Sequence, residues 1–119
     1  MNTLIEKLEQ IDFGTLDIDE ILDNRDAKVF DAEWIRVYKV VEALKNKENY
    51  SEVEKQNNTK ICKRVFLMIY EYTKDADLAG YISDDFGLIA DAKLLGYNDV
   101  WLDKMVSCYE NGIIPCGSL

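Results

Sequence analysis

Three expected helix starts in this chain place a capping side chain three residues ahead of a glutamate: Thr3-Leu-Ile-Glu6, Asp17-Ile-Asp-Glu20 and Ser51-Glu-Val-Glu54. At that spacing the first side chain accepts an orphan backbone N–H of a new helix, and the glutamate reaches back to another. Ser83-Asp84-Asp85 and Asn98-Asp99 read as caps followed by first-turn acids, which the helix dipole favours. Gly14, Gly80, Gly96 and Gly112 each follow a periodic run and read as helix stops. Between these marks the apolar residues recur at helical spacing. The stripes are Leu4, Ile5, Leu8 and Ile11, then Trp34, Val37, Tyr38, Val41 and Leu44. Ile61, Val65, Met68, Ile69 and Tyr72 follow, then Phe86, Ile89, Ala90 and Leu94, and last Trp101, Met105, Cys108 and Tyr109. No alternating pattern is sustained. The run 65–70 is apolar enough for a buried strand, but its flanks are helical in period.

The expectation is therefore an all-α fold: a compact single-domain bundle over residues 1–119. About six helices are predicted, near 3–13, 17–24, 31–48, 51–79, 84–95 and 99–111. The wholly polar stretch 54–60 is the one place where a loop would split the fourth.

Charge decides which functions suit such a bundle. The chain of 119 residues has 23 Asp and Glu against 14 Lys and Arg, no histidine, and a net charge of −9. The charge comes in blocks: net −7 over residues 1–33, +4 over 34–70 and −6 over 71–119. Nucleic acid and anionic membrane both call for clustered cations, so neither is expected as a direct ligand. A basic protein is the natural complement. The basic middle (Lys39, Lys45, Lys47, Lys55, Lys60, Lys63, Arg64) has no RNA-binding aromatic motif. It is expected to pair with the acidic ends or to cover one solvated flank.

Without histidine, the commonest general base and metal ligand is missing. The six glycines are scattered singly and form no phosphate-binding loop. Cys62, Cys108 and Cys116 have no zinc spacing, and a cysteine nucleophile would have no histidine to activate it. Residues 75–86 match part of a calcium loop, with acids at Asp75 and Asp77 and a glycine at Gly80. Position 12, where a bidentate glutamate is needed, is Phe86. A structural turn closed by Gly80 is the expectation. Neither enzymatic activity nor a metal or other cofactor is expected. No apolar leader opens the chain and no run is long enough to span a membrane, so a cytoplasmic protein with reduced thiols is expected. The C-terminal Cys116-Gly-Ser-Leu119 fits only the loosest prenylation box, and a frayed tail is the reading kept.

What distinguishes the acids is their segregation. Asp17, Asp19, Glu20, Asp23 and Asp26 gather on the second predicted helix, with like charges one turn apart and no lysine interleaved. A second group is Asp84, Asp85, Asp91, Asp99 and Asp103, near Tyr97 and Trp101. Acids beside aromatics steer a basic partner and then anchor it. Both groups are candidate partner-binding residues.

The stretch from Ile82-Ser-Asp-Asp-Phe through Gly96-Tyr-Asn-Asp-Val-Trp101, continuing to Tyr109 and Asn111-Gly-Ile-Ile-Pro115, resembles the paired C-terminal helices of small bacterial immunity proteins. Such proteins accompany secreted or contact-delivered toxins. The resemblance implies a non-catalytic protein that binds a cognate basic, nuclease-type toxin domain one to one and blocks its active site. It carries over no individual binding residue and leaves the oligomeric state open. The alternatives are a non-catalytic acidic adaptor, including a phage-encoded inhibitor, and a calcium-responsive module at 75–86.

Overall fold

The computed structural model describes residues 1–119. It is an all-α bundle of six helices: α1 (Asn2–Glu9), α2 (Ile18–Asp26), α3 (Lys28–Lys47), α4 (Glu52–Thr73), α5 (Ala76–Leu94) and α6 (Val100–Glu110). A short 3-10 turn, Phe13–Thr15, links α1 to α2. The bundle measures 42 × 28 × 22 Å. No helix is long and apolar enough to cross a membrane.

Two of the three capping spacings act as caps. Ser51 and Glu54 form the complete reciprocal box at the start of α4. The Asp17 carboxylate accepts the Glu20 N–H at 3.1 Å. The Thr3 spacing is not used, because α1 already begins at Asn2, with Met1 ahead of it. The polar stretch 54–60 continues α4 without a break.

The largest departure from the sequence reading lies between α4 and α5. The break falls at Lys74, which takes a left-handed conformation (φ 55°), and Asp75 caps α5 by accepting the Leu78 N–H at 2.9 Å. Gly80 is therefore no stop, and Ser83-Asp84-Asp85 is no cap; all lie inside α5. Ser83 turns its hydroxyl back onto the Gly80 carbonyl at 2.9 Å, the local bond by which a serine is accommodated within a helix. Burial holds α5 helical where propensity does not: it is the central helix, with eleven buried residues including Leu78, Ile82, Phe86 and Ile89.

Around α5 the other helices close one core of 21 apolar side chains. The α4–α5 hairpin makes the most extensive contact, α1 lies on α6, and α2 packs on α3 and α5. Gly87 lets α4 and α5 come together. A Cβ there would stand 2.7 Å from the Cys62 sulfur and 3.3 Å from Asn58 Oδ1, and Asn58 donates to the Gly87 carbonyl at 2.9 Å. Aromatic edges seal the other end, with Phe30 against Trp101 and Phe86 against Tyr109. Trp101 is thus a core residue with 8% of its surface exposed.

The C-terminal tail is docked rather than frayed. The Gly117 N–H donates to the Asn24 carbonyl at 3.1 Å, Pro115 is buried, and Cys116 is half-buried with a free thiol.

Candidate functional site

The candidate surface is organised by a carboxylate that does not belong to it. Asp85, on the inner face of α5, has no exposed surface. Arg25 of α2 grips it bidentately, Nη1 to Oδ2 at 2.6 Å and Nη2 to Oδ1 at 2.7 Å. Trp34 of α3 donates its indole N–H to Oδ1 at 2.9 Å, and Tyr109 of α6 donates its hydroxyl to Oδ2 at 2.6 Å. Four donors from three helices thus converge on one side chain of a fourth. Arg25 also donates to the Pro115 carbonyl at 3.1 Å and lies 4.3 Å from the centre of the Phe30 ring.

Every lone pair of such a carboxylate has a donor, the condition under which a buried charge is tolerated. Burial pulls the Arg25 pKa down, but the Asp85 carboxylate outweighs it, and the guanidinium stays charged. Burial and the same carboxylate push the Tyr109 hydroxyl well up, so it remains a donor. No buried side-chain nitrogen or oxygen in the molecule is left without a partner.

Most of the second acidic group is likewise occupied internally. Asp91 is buried on α5, bonded to Lys45 Nζ at 2.7 Å and the Tyr50 hydroxyl at 2.5 Å. Asp99 caps α6 through the Leu102 N–H at 3.0 Å and receives Arg36 on both oxygens, at 2.8 and 3.2 Å. The Tyr97 hydroxyl donates to the same carboxylate at 3.0 Å. Arg36, more than any other group, lowers the Asp99 pKa to about 2. The sequence reading brings Asp85, Asp91, Asp99, Tyr97 and Trp101 to one binding surface. The structure turns Asp85, Asp91 and Trp101 inward and commits Asp99 and Tyr97 to a clasp with α3. Only Asp84 and Asp103 stay exposed and without an ion pair.

The first group stays outside. Asp17, Asp19, Glu20, Asp23 and Asp26 are all exposed on or beside α2. Asp17 is engaged as the α2 cap, and Asp26 accepts the Tyr81 hydroxyl from α5. No cation answers them: the only basic residue of α2, Arg25, is buried and bound to Asp85. Through the Asp26–Tyr81 contact the face continues onto α5, where Asp77 and Asp84 flank Tyr81 at helical spacing and are exposed.

The basic middle behaves partly as the sequence suggests. Of the residues named for it, Lys45 pairs with Asp91; Arg36, which the sequence reading does not single out, pairs with Asp99. Lys39, Lys47, Lys55, Lys60 and Lys63 are exposed or nearly so on α3 and α4. Residues 75–86 are cap and helix rather than a loop, and no three Asp, Glu or Cys side chains stand close enough to hold a metal ion.

Fold and surface together define a class: a small acidic helix bundle with its interior polar groups all satisfied and its unanswered carboxylates turned outward. The sequence profile of the family Immunity protein PIM1 matches residues 2–116. The chain belongs to that family of immunity proteins. The match reaches far beyond residues 82–115, on which the resemblance read from the sequence rests. No curated protein sequence matches the chain.

Proposed function

We propose that this immunity protein neutralises a basic toxin domain, of the nuclease type, by binding it one to one in the cytoplasm of the cell it protects. The observation that supports this reading is the α2 face. Asp19, Glu20 and Asp23 are exposed there without any ion pair, and Asp17 and Asp26 extend the row. Like charges one turn apart repel by a few tenths of a kcal/mol per pair. Burying Arg25 beneath them removes the one cation of α2 that would relieve the repulsion. A surface kept in that state is suited to lysines and arginines brought by a partner. A nuclease domain carries such residues to grip phosphate, so carboxylates set against them compete with nucleic acid directly. The chain acts as one domain with no catalytic step, and its partner contacts are Asp17, Asp19, Glu20, Asp23 and Asp26, joined by Asp84, which continues the face onto α5.

The test is complex formation with the C-terminal domain encoded immediately upstream. Mixed at equal concentration, the two are expected to elute as a single one-to-one species and to lose the toxin's activity in proportion to the protein added. Separate elution with activity intact overturns the reading.

A further inference from the structure

A cleft of about 210 Å³ opens between α3, α4 and α5, beside the acidic face. Trp34 and Tyr38 form one wall, their rings stacked 5.4 Å apart at 18°, with Tyr38 44% exposed. Asn58 and Cys62 of α4 form the other wall, and α5 supplies the floor with Asp84, Gly87 and Leu88. At the far end Lys45 is bound by Asp91 at 2.7 Å and by Glu42 at 2.8 Å.

The two ends of this cleft are not equivalent. At one, the protein's own ammonium sits between carboxylates beside an aromatic ring, Tyr50, whose centre lies 4.9 Å from Lys45 Nζ. At the other, Asp84 stands beside the Trp34–Tyr38 stack with no hydrogen bond and no ion pair. The cleft therefore holds three carboxylates, Glu42, Asp84 and Asp91, against one cation. Partial burial, and after it the neighbouring Asp85 charge, raise the Asp84 pKa, although Arg25 opposes the rise. An aromatic face next to a carboxylate is the environment that favours a lysine or arginine head group.

We infer that the Asp84 end of this cleft receives a lysine or arginine side chain of the toxin, between the carboxylate and the Tyr38–Trp34 stack. The inference rests on the neutralisation reading above and adds to it the anchor point. The α2 face would steer the partner, and one inserted cation would hold it. The cleft has room for one side chain and not for a helix, so the occupant is a single projecting residue.

The experiment is the dissociation constant of the upstream-encoded toxin domain for the wild type, Asp84→Asn, Asp84→Lys, Tyr38→Ala and Glu9→Gln. Glu9 is exposed on α1, away from the cleft, and its substitution removes the same charge. Asp84→Asn and Tyr38→Ala are each expected to weaken binding about tenfold, and Asp84→Lys on the order of a hundredfold, because it places a competing cation at the site. Glu9→Gln is expected to change it less than about twofold. Asp84 is an exposed helix position, so unchanged thermal melting of Asp84→Asn checks that the fold is retained. Tight wild-type binding that Asp84→Asn and Tyr38→Ala leave unaltered overturns the cleft as anchor while leaving neutralisation intact. Wild-type protein that binds no toxin removes the neutralisation reading and the cleft's occupant with it.

Discussion

Asp84 and Asp85 are adjacent in sequence and opposite in circumstance. Asp85 has no exposed surface and takes four hydrogen bonds from Arg25, Trp34 and Tyr109. Asp84, one residue back on the same helix, faces out with no partner. A helix advances about 100° per residue, so neighbours at its boundary with the core serve different ends. One carboxylate ties four helices together, and its neighbour stays available at the surface. The tie also draws Arg25 out of the acidic face, so the structural and surface roles are coupled through one ion pair.

Breaking that pair is expected to be costly. Asp85→Asn leaves a buried guanidinium without its counter-charge, and the expected loss is about 3–5 kcal/mol of unfolding free energy. Urea denaturation followed by Trp fluorescence measures it directly. A loss below about 1 kcal/mol would show that the hub contributes little.

The α4–α5 contact makes a separate prediction. In Gly87→Ala the new Cβ meets the Cys62 sulfur at 2.7 Å, and overpacking of this kind costs about 1–3 kcal/mol. In a Cys62→Ala background the same substitution is expected to cost measurably less. Equal costs in the two backgrounds would place the strain elsewhere, at Asn58 or the backbone.

Acid stability should register the Arg36–Asp99 clasp. The folded pKa of Asp99, about 2, lies below the unfolded carboxyl value of about 3.9. Its contribution is therefore complete above the unfolded pKa and is lost as pH falls through the folded one. The Arg36 side chain is 44% exposed, and solvent screening keeps the effect small. Between about pH 4 and pH 2, Asp99→Asn is expected to lose stability less steeply than the wild type. Parallel curves over that range would show no clasp in solution.

Charge on α2 should govern the rate of association. Reversing Asp19, Glu20 and Asp23 together is expected to slow association at least about tenfold at low salt, with the helical fold retained despite the loss of two first-turn acids from α2. Wild-type association should also slow steeply as ionic strength rises. A rate flat in salt, measured by stopped-flow or surface methods, would remove steering by this face.

The features legible in sequence were those with a local cause. Helical period and the capping signals at Asp17, Ser51 and Asn98-Asp99 place five of the six helix starts to within a few residues, although the α6 cap is Asp99 and not Asn98. The start of α5 was missed for the same reason in reverse. Gly80 and Ser83 look like helix ends on local grounds, and burial of most of α5 in the core keeps them helical. Asp75, three residues before Leu78 and following a left-handed Lys74, was the signal that marked the true start. For the acids, spacing separated clusters but not inside from outside. Asp85 and Asp91 are drawn in by Arg25, Lys45 and Tyr50, which stand 60, 46 and 41 residues away in sequence. No window of sequence contains both partners. The α2 acids stay exposed because no distant cation draws them in.

Neutralisation is tested most directly by growth of a sensitive bacterium expressing the C-terminal domain of the upstream-encoded protein, with and without this immunity protein. The expected result is toxicity that the wild type abolishes and that the Asp19/Glu20/Asp23 charge reversal no longer abolishes, although the variant accumulates to the same level. Toxicity untouched by the wild type would contradict neutralisation of that partner. Full rescue by the charge-reversed variant would contradict the acidic face as the means.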